Sequence, residues 1–376
     1  MADALMVTSS FLPGRGGIES YLAELCTWAA PRLAVLAPPE RDGLKLPQDL
    51  PYPTSPGPTS MLWPGRQVLA AIEREASNHG TDKILFGTPW PLALLGPRLR
   101  AAGLRYSVII HGAELSVPGA VPVLRKKMAI ALGEADLLLP VSTYTAGAAR
   151  RLLERMGVAP PAMSALRARV DLERFRPGPP AAEVLARSGI PPGAKVILSF
   201  GRLVPRKGID RMIRALPAIR ERVPEAVYVV AGTGPKAKRL RRLADRLEAP
   251  VIFTGRVPDA DAPALYGAAD VFALPVVDRW FGLEIEGLGV VLLEASACET
   301  ACLTGRSGGT PEAVLDGETG YVVDASKRDE LVGRAVDLLA DEPLRVRMGA
   351  AGRRHVSEHF STRSEPKALQ EWLAEA

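Results

Sequence analysis

Short apolar runs of four or five residues alternate with stretches of helical periodicity along the whole chain. In the first half these runs are Ala4–Thr8, Leu33–Leu36, Lys83–Phe86, Ser107–Ile110 and Leu137–Pro140. In the second half they are Val196–Phe200, Val227–Ala231, Val251–Thr254, Val271–Leu274 and Ala301–Thr304. Each is rich in β-branched residues or Leu, and most lead into a helical pattern. Strands that are apolar on both faces must be covered on both, and a helix between successive strands makes them run parallel. The chain is therefore α/β, built from doubly wound parallel sheets.

Phe175-Arg-Pro-Gly-Pro-Pro180 and Ile190-Pro-Pro-Gly193 bracket one short helix and break the alternation in two. A length of 376 residues exceeds one average domain and fits two of this class. We expect a first Rossmann-like domain over 1–180, a second over 181–355, and a terminal helical segment over 356–376 that carries Trp372. Facing domains of this kind present the C-terminal ends of both sheets to a common cleft, where ligands bind. Residues 38–66, rich in Pro and Gly with little periodicity, read as an irregular loop.

A net charge of +5 suits anionic small molecules or an anionic membrane surface, and nothing in its distribution points to nucleic acid. Three cysteines, Cys26, Cys298 and Cys302, are too few and too irregularly spaced for a disulfide framework or a zinc site, so a reducing, cytoplasmic setting is expected. Met1-Ala-Asp-Ala-Leu-Met-Val7 reads as a first strand, without the basic region of a signal peptide. No apolar run approaches the ~18 residues of a membrane span.

The run Glu286-Gly-Leu-Gly-Val-Val-Leu-Leu-Glu294 carries the most chemistry. A helix beginning near Gly289 leaves Glu286 on the entering loop and Glu294 about one turn inside. The helix start between them offers unpaired N–H groups and partial positive charge. An anion site flanked by two hydroxyl-binding carboxylates describes a nucleotide sugar, although a helix start with incidental acidic residues looks the same in isolation. Gly16-Gly17, after the first strand and before a helical pattern, lets backbone approach a phosphate, or simply makes a turn. Gly201-Arg202-Leu-Val-Pro-Arg206-Lys207-Gly208 places basic side chains beyond the C-terminal end of a strand, where they neutralise a diphosphate or form a solvated loop.

Other patterns read as structure. Ala231-Gly-Thr-Gly-Pro235 lacks the third glycine of a dinucleotide fingerprint, and Pro235 suits a helix N1 position. Asp259-Ala-Asp261 precedes Pro263 as a helix N-cap would. Lys236–Arg242 has the spacing of a charged helix face. His355-Val-Ser-Glu-His359 matches a zinc-peptidase pattern but leaves only 17 residues for the further carboxylate ligand.

In order, the chain carries Gly16-Gly-Ile-Glu19, His111-Gly-Ala-Glu114, Val170-Asp-Leu-Glu-Arg-Phe-Arg-Pro177 and Gly201-Arg-x3-Arg-Lys-Gly208. Then come Gly232-Thr-Gly-Pro235, Ala268-Ala-Asp-Val-Phe272, the Glu286/Glu294 pair, Gly308-Gly-Thr-Pro-Glu312 and Asp316-Gly-x-x-Gly320. This series resembles the retaining glycosyltransferases of the glycogen-synthase-like group 1 family, which have the two-Rossmann GT-B fold. Phe281-Gly-Leu-Glu-Ile-Glu-Gly-Leu-Gly289 and the His111 motif resemble the GDP-mannose-dependent phosphatidylinositol-mannoside mannosyltransferases.

The resemblance implies a donor site in which Arg202 and Lys207 hold the diphosphate, with Arg206 nearby. Gly289, Val290 and Val291 offer backbone amides, Glu286 takes sugar hydroxyls and Glu294 the ribose diol. Gly16 and Gly17 close over the phosphate, and Arg256-Val257 border the nucleobase. His111 touches the transferred sugar, Glu114 lies near the acceptor, and the terminal helix crosses back onto the first domain. Ser164–Arg169 and Glu299-Thr300-Ala301 depart from a usual Pro- and Gly-containing turn and a Gly-x-Pro respectively.

The expected activity is metal-independent transfer of a hexosyl group, mannosyl from GDP-mannose, to a hydroxyl of a glycolipid or small glycan, with retention. Catalysis would rest on His111, Glu286, Arg202 and Lys207, with a nucleotide sugar as co-substrate, no cofactor and no nucleic-acid partner. Peripheral contact with the inner membrane leaflet goes with a lipid acceptor. Rival readings are a UDP-sugar donor with a soluble acceptor, a nucleotide-binding oxidoreductase on the same fold, or a non-catalytic membrane partner using Arg125-Lys-Lys127 ahead of Met128–Leu132.

Overall fold

The computed structural model describes residues 2–14, 16–41, 43–178, 182–280, 282–362 and 366–375. Two compact units emerge, one of residues 1–168 with 365–376 and one of residues 169–364. Pro180 and Ala181, at the expected domain boundary, lie outside the described residues. The segment before them groups with the second unit because Val170 bridges Ser361 and its N–H donates to Phe360 O at 2.7 Å.

The first unit holds β1 (Ala4–Val7), β2 (Leu33–Ala37), a small antiparallel pair β3 (Glu40–Arg41) and β4 (Leu44–Lys45), then β5 (Thr54–Pro56), β6 (Lys83–Phe86), β7 (Arg105–Ile110), β8 (Leu137–Pro140) and β9 (Ala162–Met163). Its sheet is parallel in the order β5-β2-β1-β6-β7-β8-β9. The central strands are buried on both faces, as their unbroken apolar sequence requires. Residues 38–66 are thus partly ordered by β3, β4 and β5, short elements whose flanking prolines hide them from any periodicity test.

Local signals set several helix ends. Ser142 starts the helix Thr143–Arg155 with a capping box: its hydroxyl accepts from Thr145 N, and Thr145 Oγ1 accepts from Ser142 N at 3.0 Å. In the helix Pro122–Gly133, Met128, Ala129, Ala131 and Leu132 are buried in the core, so the apolar run beyond Arg125-Lys-Lys127 serves packing. The terminal helix Lys367–Ala374 belongs to this unit. Trp372 Nε1 donates to Asp136 Oδ2 at 3.2 Å and Lys83 Nζ to Leu373 O at 3.1 Å.

The second unit holds β10 (Lys195–Phe200), β11 (Ala226–Ala231), β12 (Val251–Gly255), β13 (Val271–Leu274), β14 (Ala301–Gly305) and β15 (Gly320–Val323). All pair parallel in the order β12-β11-β10-β13-β14-β15. Its core is Ile, Leu, Val and Tyr228 between the sheet and the helices Ile209–Arg220 and Arg328–Ala340. Asp270 of the Ala268–Phe272 motif is structural. It accepts from Val196 N at 2.8 Å and pairs with Arg345 at 3.1 Å, tying the start of β13 to β10.

Pro235 does not take the expected N1 position. Lys236 N donates to Leu203 O at 3.2 Å, which postpones the helix to Ala237–Arg246. Asp261 sits at the N-cap of the helix Ala262–Gly267, but its carboxylate pairs with Arg187 at 2.8 Å and caps nothing.

Candidate active site

In the second unit every strand points the same way, so the loops after β10, β12, β13 and β14 leave along one edge. β10 lies between β11 and β13, and the order of connection reverses there. Such a switch point opens a crevice beyond the strand ends. The loop after β10 ends in the turn Pro205–Lys207, and the loop after β13 runs from Pro275 to Gly289.

These loops bring together one carboxylate and two cations. Lys207 Nζ lies 2.9 Å from Glu286 Oε2, and Arg206 Nε lies 3.4 Å from the same oxygen. Glu286 and the Lys207 side chain are 9% and 12% exposed. Burial pushes the Glu286 carboxyl up, but Lys207 first and Arg206 second outweigh it and hold it below the ordinary range. Neither pair has hydrogen-bond geometry, and Glu286 Oε2 and Arg206 Nε are both buried without a hydrogen-bond partner among the described residues. Buried polar atoms in that condition are costly unless a ligand completes them.

The backbone of Glu286 is clamped. Its N–H donates to Ser307 Oγ at 3.1 Å, Ser307 Oγ donates to Asp278 Oδ1 at 2.5 Å, and Gly309 N donates to Glu286 O at 3.1 Å. Gly308 has φ +52, and a methyl group there would lie 1.9 Å from Glu286 O. The Gly308–Glu312 motif therefore positions Glu286.

Gly289, with φ +85, ends this loop and N-caps the helix Val290–Ala297, where Leu292 N donates to Gly289 O at 2.8 Å and the amides of Val290 and Val291 have no intrahelical acceptor. Glu294 lies one turn in. Its Oε2 accepts from Tyr266 Oη at 2.6 Å, and burial pushes the carboxyl up to about 7. One end of the loop thus gathers positive charge and free amides, and two carboxylates flank it. That set accommodates an anion bearing hydroxyl-rich groups on either side.

Residues 182–355 match the family described as glycosyl transferases group 1. Over 98% of both chains, this one is 39% identical to the GDP-mannose-dependent alpha-(1-6)-phosphatidylinositol monomannoside mannosyltransferase of Mycolicibacterium smegmatis. It is 35% identical to the Corynebacterium glutamicum enzyme named for the monoacylated form of that acceptor, over 95% of this chain and 94% of that one. The chain belongs to the group 1 glycosyltransferases. Among solved structures, Anabaena HepE in complex with UDP and glucose aligns over 100% of each chain at a TM-score of 0.81 and 20% identity. WaaG, a glycosyltransferase of lipopolysaccharide biosynthesis, aligns over 99% of this chain and all of its own at 0.74 and 18%. The fold is GT-B.

The other residues expected on the donor side are more open. Arg202 is exposed and enters none of the ion pairs among the described residues, whereas Arg206 reaches Glu286 and, at 3.9 Å, Glu284. Arg256, also exposed, and Val257 follow the C-terminal end of β12. Phe281, in the motif that suggested a subfamily, lies outside the described residues.

In the first unit, His111 follows β7 and is buried, with Nε2 3.0 Å from Gly87 O and the ring edge-on to Tyr21 at 5.2 Å. A carbonyl only accepts, so Nε2 carries the proton and Nδ1 keeps its lone pair in the neutral ring. Both carboxylate oxygens of Glu114 are buried without a hydrogen-bond partner among the described residues. Gly16 caps the helix Gly17–Ala29, and there the buried Glu19, paired with Arg41 at 3.3 Å, occupies the anion-favouring helix start.

Tyr266 and Ser307 touch the site and escaped the sequence reading. Leu265-Tyr266 looks like a core pair, and no spacing rule links either residue to a carboxylate elsewhere in the chain. His355 and His359 stack edge-on at 5.1 Å, and His355 Nε2 lies 2.9 Å from Glu312 O.

Proposed function

We propose that this enzyme transfers a mannosyl group from GDP-mannose to a hydroxyl of a phosphatidylinositol mannoside, with retention of anomeric configuration. The relatives named for that reaction, similar to this chain along nearly their whole length, support the substrate pair. The observation that carries the chemistry is Glu286 held between Lys207 and Arg206 at the switch point.

As the bond from the anomeric carbon to the phosphate oxygen stretches, its electron pair moves onto the diphosphate. Lys207, Arg206 and the amides of Val290 and Val291 stabilise that charge, which calls for no metal. The acceptor oxygen bonds to the anomeric carbon on the face the diphosphate leaves, and its proton passes to the departing phosphate oxygen. Glu286, ionised beside its two cations, accepts hydroxyls of the transferred sugar, and Glu294 accepts those of the ribose. The first unit supplies His111, whose Nδ1 accepts from a sugar hydroxyl, and Glu114 toward the acceptor. A lipid-linked acceptor implies peripheral contact with a membrane, and among the described residues no helix is long and apolar enough to cross one.

The test is incubation of the purified protein, in EDTA, with GDP-mannose and phosphatidylinositol monomannoside, read by mass spectrometry and NMR of the new anomeric centre. One added hexose in the α-configuration is expected. Transfer from UDP-glucose instead would keep the site and overturn the substrate pair; absence of transfer from any sugar nucleotide would overturn the enzyme reading.

A further inference from the structure

Glu294 is gripped by a side chain that no feature of the sequence ties to it. Tyr266, in the helix Ala262–Gly267, is fully buried and directs its hydroxyl to Glu294 Oε2 at 2.6 Å. Its ring cannot swing away. Phe200 packs at 5.5 Å, Phe272 at 5.4 Å and Phe175 at 6.0 Å, and Thr300 Oγ1 donates to Tyr266 O at 2.8 Å. Three aromatic contacts are far more than is needed to place one hydroxyl for packing alone, and they hold it to a single direction. Burial, reinforced by Glu294, keeps the phenol protonated, so Tyr266 acts toward the carboxylate only as a donor. A carboxylate has about four acceptor positions, and this bond occupies one, leaving the others for a ligand.

We propose that Tyr266 is a positioning residue for the nucleoside, holding the Glu294 carboxylate in the one rotamer that takes both ribose hydroxyls of the donor. The proposal rests on the reading of Glu294 as the ribose carboxylate. It makes Tyr266, which never touches the donor, the residue that sets discrimination between ribo- and deoxyribonucleotides. A site built to pair two hydroxyls rejects the analogue lacking one because its own buried acceptor is left unpaired.

Protonation gives a second readout. The groups that face the Glu294 carboxylate are Tyr266 in its helix, Arg174 in the segment that follows Val170, Asp259 in the turn ahead of the Tyr266 helix, and Cys298 at the end of its own helix. Burial raises it and Asp259 adds to the rise, while Tyr266 and then Arg174 oppose it. A ribose diol needs the ionised form, so donor KM rises as pH falls through about 7. Removing the Tyr266 hydroxyl takes away a bond to the ionised form and moves that limb to higher pH.

The test uses the full-length enzyme and Tyr266→Phe, with KM for GDP-mannose followed across pH and inhibition by GDP compared with 2′-deoxy-GDP. At pH 7 KM rises about tenfold, the worth of one hydrogen bond to a charged group. The pH limb moves up, and the preference for GDP over 2′-deoxy-GDP shrinks by a similar factor. Incorporation of 3-fluorotyrosine at 266, a more acidic donor of nearly the same shape, moves the limb the other way. That sign persists even where Tyr266→Phe folds poorly. An unchanged limb and unchanged preference in both variants overturn the proposal. Glu294→Gln separates the two readings: if that variant keeps the preference for GDP, the ribose assignment itself is wrong, and Tyr266 falls with it.

Discussion

Glu286 illustrates how one buried side chain serves two electrostatic ends. Without a donor it is the anion that Lys207 and Arg206 require, since two half-buried cations 2.9 and 3.4 Å from one oxygen would otherwise be uncompensated. A diphosphate entering the same corner competes for those cations. Opposite effects follow for two substitutions. Lys207→Ala removes a charge-assisted contact and should weaken GDP about a hundredfold. Glu286→Gln removes the competitor, so GDP should bind at least as tightly, while kcat for sugar transfer drops about a hundredfold for want of the hydroxyl acceptor. Calorimetry with GDP beside steady-state rates checks both, and equal weakening of GDP by the two variants would refute the competition. Gly308→Ala should act through the same carboxylate, because its methyl group would meet Glu286 O at 1.9 Å and the clamp must shift. We expect transfer to fall at least tenfold in Gly308→Ala with GDP affinity nearly retained. The sequence singled out Glu286, Lys207 and Glu294 because loop, strand and helix chemistry each restrict the residues allowed at such points. It could not show that Arg206 reaches Glu286. That contact is set by the turn Pro205–Lys207, which turns the backbone toward β13, and no local propensity reports a neighbour some eighty residues away.

At the scale of elements, legibility followed burial. The strands covered on both faces, such as Val196–Phe200 within β10 and Leu137–Pro140, announce themselves as unbroken apolar runs. β15 was missed because Gly320 opens it and Tyr321 is only half-buried, and β5 because Pro56 ends it at a sheet edge. The contacts that hold the terminal helix were hidden, since they centre on Asp136 at the foot of β8. Arg100 Nη2 donates to Asp136 Oδ1 at 2.5 Å, Arg105 Nε to Oδ2 at 3.0 Å, and Trp372 Nε1 to Oδ2 at 3.2 Å. Burial raises the Asp136 carboxyl, yet Arg100, Trp372 and Arg105 together bring it below its usual value. A depressed carboxyl stabilises the fold above its unfolded pKa, and that contribution fades as pH falls through the folded one. Asp136→Asn should therefore cost about 1–3 kcal/mol at pH 7, seen first as faster hydrogen exchange over 367–374. The gap from the parent protein should close in strongly acidic buffer. A gap that persists there would mean Asp136 acts through packing and not through charge.

For the molecule as a whole, the residues that the proposed mechanism gives to the nucleoside diphosphate, Arg206, Lys207, Val290, Val291 and Glu294, fall within 169–364, while His111 and Glu114 fall within 1–168. A ligand stabilises only the states that bind it, by RT ln(1 + [L]/Kd), and slows exchange only where opening destroys its site. GDP alone should therefore protect residues 201–208 and 286–294, together with β10 and β13, which carry those loops. At a thousandfold excess over Kd the gain is about 4 kcal/mol for amides that exchange by opening of that unit. Amides of β1, β6 and β7 should exchange as before, because nothing that GDP touches depends on their staying closed. GDP-mannose then offers a contrast within one experiment, since it differs from GDP only by the hexose. Extra protection over 111–120 with the sugar nucleotide, absent with GDP, would support the role that resemblance gives to His111. Uniform protection of both units by GDP would instead mean that the nucleotide reports on the whole chain, and the division of labour between the units would have to be abandoned.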